Sequence, residues 1–219
     1  MGDCLMGNVR LYGSTSGYTE LAPPAVAPDG VLSLPSGTGT IATQSYVDTS
    51  SAAAGGLLHL NTSTFSSVTS HAIDSIFTSS YRNYRIIIDI TSNSTSDASI
   101  LFRFRTGGTA STSGYLIQGW YSYGTGSGVV YSASVAQWSI GNLFNSWQPA
   151  NFDLNIYGPQ LAANSGFIGV CQGAGGGAQT FFKTLSGKHL VSTSYDGFQL
   201  ICDSGNMTGS VSVYGIRNS

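Results

Sequence analysis

From Leu57 to the C-terminus, apolar and polar residues alternate in short runs separated by Gly-, Asn- and Ser-rich breaks. Ser99 to Arg105 reads SILFRFR: Ile100, Phe102 and Phe104 fall on one face, Leu101, Arg103 and Arg105 on the other. A period of two marks a strand with one face buried. Arg85–Ile90 (RIIIDI), Tyr115–Tyr123 (YLIQGWYSY), Val129–Val135 and Phe152–Tyr157 (FDLNIY) repeat the signal. So do Gly166–Gln172, Phe181-Phe182, Val191–Ser194, Phe198–Cys202 and Ser210–Ile216. No stretch carries a sustained helical period. About eight to ten strands with turn-rich links predict an antiparallel β-sandwich of jelly-roll type. A smaller sandwich with extra edge strands is the next choice, and no constant short repeat supports a β-helix. Gly107-Gly108, Gly124 to Gly128 and Gly173 to Gly177 read as loops in which positive φ is tolerated.

The first quarter has a different grain. Val9–Tyr12 is a short strand candidate. Gly13 to Thr43 then runs GSTSGYTELAPPAVAPDGVLSLPSGTGTIAT and holds Pro23, Pro24, Pro28 and Pro35, four of the six prolines in the chain. Each proline fixes φ in the extended range and pushes the residue before it toward β or polyproline II. Few large side chains are present to bury, so the segment reads as an extended arm lying on another subunit. Residues 1–43 are thus an arm, 44–56 a linker, and 57–219 the sandwich domain.

Composition sharpens this reading. Charged residues make up only 8% of the chain; about 25% is usual for a soluble domain. Glu20 is the sole glutamate, and Lys183 and Lys188 are the only lysines. A scarcity of Glu and Lys disfavours long helices and leaves strands as the natural outcome. The formal net charge of −2 gives no electrostatic footprint for nucleic acid. A surface so poor in charge opposes self-association weakly, which suits a component of a larger assembly. No apolar run reaches the length of a membrane span, and no basic-then-apolar leader is present.

Cys4, Cys171 and Cys202 have neither disulfide-framework nor zinc spacing, and His59, His71 and His189 share no ligand pattern. Asp74, Asp89, Asp97, Asp153, Asp196 and Asp203 supply no recognisable acid–base pair. The Gly-rich GAGGG run lacks the Lys-Ser/Thr of a phosphate loop. No enzyme and no cofactor is expected. Aromatic residues are more informative: Trp120, Tyr121, Tyr123 and Trp138 could stack on sugar rings, or alternate members such as Trp120 and Trp138 could fill the core. Arg82, Arg85, Arg103 and Arg105 hold four of the six arginines. Arg103 and Arg105 are expected to pair with Asp89 on a neighbouring strand or with a carboxylate of another subunit.

The arm, through Gly13-Ser14-Thr15-Ser16-Gly17-Tyr18, Leu21-Ala22-Pro23, Leu32-Ser33-Leu34-Pro35 and Gly37-Thr38-Gly39-Thr40, resembles N-terminal segments of tailed-bacteriophage structural proteins. The body is similar too, in Phe77 to Asp89 (FTSSYRNYRIIID), the FRFR strand followed by GGT, and the closing Val213-Tyr214-Gly215-Ile216-Arg217. The resemblance implies a virion location and a capsid decoration or cement protein, a homo-oligomer with a trimer favoured. It would be anchored on the major capsid protein or another virion protein. Tyr18, Leu21, Pro23, Pro24, Val31, Leu32, Leu34, Pro35 and Ile41 would then make the arm's contacts. The alternative is a tail-fibre or tail-tip adhesin that binds host glycan through Trp120, Tyr121, Tyr123 and Trp138.

Overall fold

A computed structural model describes residues 9–12, 15–21, 56–95, 97–144, 149–175 and 179–217. The chain divides into two units, Met1–Gln44 and Ser45–Ser219. Among the described residues there is no helix, and every strand pairing is antiparallel.

In the first unit, β1 (Val9–Tyr12) pairs with β2 (Tyr18–Leu21), with Val9 opposite Leu21 and Tyr12 opposite Tyr18. Gly17, with φ +80°, supplies the turn conformation that non-glycine residues resist. Tyr18 and Leu21, two residues of the expected arm, lie in β2, whose backbone pairs with β1. Pro23, Pro24, Val31, Leu32, Leu34, Pro35 and Ile41 lie outside the described residues, as does the linker except Gly56.

The second unit is a β-sandwich. Its strands are β3 (Leu57–Val68), β4 (Ser70–Ile73), β5 (Tyr81–Asn93), β6 (Asp97–Thr106), β7 (Thr109–Ala110), β8 (Tyr115–Tyr123) and β9 (Gly126–Val135). They continue as β10 (Trp138–Phe144), β11 (Ala150–Tyr157), β12 (Ser165–Gly175), β13 (Gln179–His189), β14 (Gly197–Cys202) and β15 (Met207–Arg217). The larger sheet has eight strands in the order β3-β15-β5-β11-β12-β13-β8-β9. The smaller has the order β10-β6-β14-β4, with β7 paired to β6.

Alternation decides which side chains enter the space between the sheets. β5 sends Tyr84, Ile86, Ile88 and Ile90 inward, β11 sends Phe152, Leu154 and Ile156, and β6 sends Ile100, Phe102 and Phe104 from the opposite side. An aromatic cluster joins the layers: Trp138 of β10 lies 4.5 Å from Phe167 of β12 and 5.3 Å from Tyr115 of β8, between ring centroids. Offset and edge-on aromatic pairs of this kind add to the burial term. Gly141 of β10 lets the sheets approach, since a Cβ there would lie 2.5 Å from Cys171 Sγ and from Phe152.

Most expected strands appear, several of them longer. Phe181-Phe182 grows into the eleven residues of β13. Val191–Ser194 is not a strand; it is an extended loop whose end is tied by the Tyr195 N–H donating to the Pro159 carbonyl. β3 and β10 carry too many Ser, Thr, Asn or Gly residues to announce themselves, and β4 (SHAI) is only four residues long. Gly107, Gly108 and Gly124 do adopt positive φ, whereas Gly126, Gly128 and Gly173 lie within strands.

The arginine pairing is intrachain but not with Asp89. Arg105 donates to Asp74 (Nε to Oδ1, 2.7 Å), Arg103 donates to Gln137, and Arg85 forms a bidentate pair with Asp153. Asp89 accepts from Asn151 Nδ2 at 2.5 Å. Strand order explains this: β14 and β10 flank β6, so β5 and its Asp89 belong to the other sheet.

Candidate functional site

The proposed aromatic cluster is divided among three environments. Trp138 is fully buried, its indole Nε1–H donating to the Leu116 carbonyl at 2.9 Å. It belongs to the core and is closed to any surface ligand. Trp120 points outward and is 43% exposed. Tyr121 and Tyr123 point the other way, because β8 alternates, and enter a cleft at one end of the sandwich.

That cleft has a volume of about 480 Å³ and is lined by Tyr121, Tyr123, Val130, Asn142, Phe181 and Lys183. Its wall comes from three neighbouring strands of the larger sheet. In the register of β13 with β8, Phe181 lies opposite Tyr123 and Lys183 opposite Tyr121; Val130 follows from β9. β10, an edge strand of the smaller sheet, contributes Asn142. Gly128 of β9 lies beneath the Tyr121 ring: a Cβ there would come within 2.7 Å of it. The Tyr121 and Phe181 rings stack with centroids 6.5 Å apart.

Lys183 is the unusual member. β13 places Phe181, Lys183 and Leu185 on one inward face, so a lysine occupies a core-facing position and is only 5% exposed. Its Nζ donates to Asn142 Oδ1 at 3.5 Å, its one hydrogen bond among the described residues. An ammonium carries three donors. Asn142 is itself oriented by donating from Nδ2 to Ser99 Oγ at 3.4 Å. Burial lowers the Lys183 pKa from its ordinary value, against a smaller opposing effect of Cys171. Burial likewise pushes the Cys171 thiol up to about 11, with Lys183 acting in the other direction. The sulfur is therefore a neutral thiol at physiological pH and not a nucleophile.

The outer face of β12, β13, β8 and β9 carries exposed apolar residues interspersed with polar ones. Successive cross-strand partners Val170, Thr184, Trp120 and Val129 form one row across β12, β13, β8 and β9. Ile168, Ser186, Gln118 and Tyr131 form the next. Val129 is 77% and Tyr131 72% exposed. Ile168, Val170 and Phe182 are exposed as well.

Sequence reasoning found Tyr121 and Tyr123 but missed Lys183, Asn142 and Val130. The signal for Lys183 was present: one of two lysines, alternating in phase with Phe181 and Leu185. Among the described residues no group of His, Cys, Asp and Glu is arranged to hold a metal. No family model, curated protein or solved structure matches the chain.

Proposed function

We propose that the chain is a structural protein of a bacteriophage particle, a decoration or cement subunit whose N-terminal segment attaches it to the capsid. The body packs as a homo-oligomer, three copies in the favoured arrangement. The virion assignment comes from the resemblance of residues 13–43 and of the body to such proteins. The observation that carries the assembly reading is the set of exposed apolar side chains, Trp120, Val129, Tyr131, Ile168 and Val170, on the outer face of β12, β13, β8 and β9. Contiguous exposed apolar surface marks an interaction site, and a chain with 8% charged residues has little repulsion to keep such faces apart.

A jelly-roll body belongs to the same proposal. Numbered in chain order, β3, β4, β5, β6, β10, β11, β14 and β15 are eight strands. One sheet then runs first, eighth, third, sixth, and the other second, seventh, fourth, fifth. That interleaving is two Greek keys folded together, the pattern of capsid and lectin jelly rolls. β8–β9 and β12–β13 are hairpins inserted between these strands, and both extend one edge of the larger sheet.

Removing residues 1–43 should leave a folded body that no longer occupies the capsid, measured by its copy number on purified particles. Full occupancy by the truncated protein overturns the attachment reading. Val129→Glu together with Tyr131→Glu should shift the sedimenting species from oligomer to monomer; an unchanged oligomer overturns the role of this face. A tail-fibre or tail-tip adhesin is the second reading, favoured by the cleft that holds Tyr121 and Tyr123.

A further inference from the structure

We propose that the cleft between β8, β9, β13 and β10 binds a sugar that carries a carboxylate, with Lys183 meeting the charge and Tyr121 and Tyr123 facing the ring. This rests on the adhesin reading of the cleft and names the class of ligand it selects.

An ammonium removed from water is strongly disfavoured unless an anion and hydrogen bonds replace its hydration. Lys183 is almost fully buried, yet its one hydrogen-bonding partner among the described residues is a neutral amide at the long distance of 3.5 Å. No carboxylate among them forms an ion pair with it; Asp153 and Asp74 are paired with Arg85 and Arg105. Apolar residues would fill this inward position of β13 more favourably, as Phe181 and Leu185 do on either side. A lysine kept there, facing an open cleft, suits a ligand that brings the missing negative charge.

Lysine presents a compact point charge that one oxygen of a carboxylate can meet. The remaining lining is aromatic and aliphatic, with Asn142 the other polar group. A sugar ring has an apolar C–H face for the tyrosines and hydroxyls for Asn142. The volume lies within the range of small-ligand sites. A long polyanion such as nucleic acid would need a track of cations, and Lys183 is the cleft's only basic lining residue among those described.

The test uses the full chain and three matched probes in NMR titrations: methyl β-glucuronide, methyl β-glucoside, and sodium acetate. The first two differ only in the carboxylate; the last carries the charge without the ring. The glucuronide should perturb the Tyr121 and Tyr123 ring signals and bind at least about tenfold more tightly than either control. Lys183→Met should abolish the preference for the acid, and Tyr123→Ala, at a partly exposed position, should weaken the glucuronide severalfold. Thermal melting guards the interpretation, because Lys183→Met relieves a buried charge and should raise the melting temperature. Equal binding of glucuronide and glucoside overturns the acid selection and leaves the sugar-binding reading standing. Acetate binding as tightly as glucuronide overturns the sugar. No binding of any probe at tens of millimolar overturns both readings.

Discussion

Two strands of the larger sheet, the interior β5 and the edge strand β9, obey the same alternation and meet different fates. At β5 every inward residue from Tyr84 to Ile90 is fully buried, because β15 and β11 flank the strand and the smaller sheet covers it. At β9 the same alternation leaves Val129 and Tyr131 outside and Val130 on the wall of an open cleft. The cause is a mismatch of layers: eight strands on one side face a sheet with four along its main path on the other. Where the layers overlap, apolar residues become core. Where the larger sheet outruns its partner, the inward Val130 lines a cleft, while Val129 and Tyr131 are exposed because they face away from the smaller sheet.

The sharpest way to break this contrast is at the overlap. Trp138→Ala removes the indole that bridges the layers and should destabilise the fold by about 3–5 kcal/mol, read as a lowered midpoint in denaturant. A loss below about 1 kcal/mol would mean that the layers are not joined through this cluster.

An intermediate effect is expected from pH. His189 is fully buried among Tyr115, Trp138 and Tyr195, with Nε2 at 2.6 Å from the Tyr195 hydroxyl. Burial holds its pKa below the ordinary 6.5, against a smaller opposing effect of hydrogen bonding to the Gly114 backbone carbonyl. As pH falls through 6.5, the unfolded chain therefore takes up the proton before the folded one does. Stability from this site is complete above that value and declines below it. His71 is shifted in the same direction by partial burial and adds to the slope. The melting temperature should fall between neutral pH and about pH 5, and His189→Phe should flatten the fall without touching the contribution of His71.

The smallest effect on folding should come from the overhang. Val129→Ser changes a residue that is 77% exposed and should alter stability by no more than about 0.5 kcal/mol. It should nevertheless weaken self-association, measured by sedimentation at several concentrations. A large loss of folding stability would show that β9 is covered within the isolated subunit and erase the contrast with β5.

Much of the fold was legible from local pattern. RIIIDI, SILFRFR and YLIQGWYSY declare strands because each pairs alternation with residues that favour a pleated, half-buried surface. β3 and β10 did not, since NTSTFSS and SIGN offer little local preference and become strands through the neighbours they pair with. Val191–Ser194 misled for the converse reason: β-branched residues mark extended backbone, but a strand also needs a partner. The cleft was half legible. Tyr121 and Tyr123 stood out as aromatics, whereas Asn142 reaches them only because β10 ends one sheet beside β13 of the other.

The amino-acid sequence by itself determined the all-β class, the absence of long helical patterns and the direction of alternate side chains. These follow from short-range preferences that any strand expresses. Only the tertiary structure decided that Trp138 is core, Trp120 surface and Tyr121 part of a cleft. It also decided that Arg105 answers to Asp74 rather than Asp89. Burial depends on which strands lie opposite, and strand order in a sandwich is set by contacts between residues far apart in the chain.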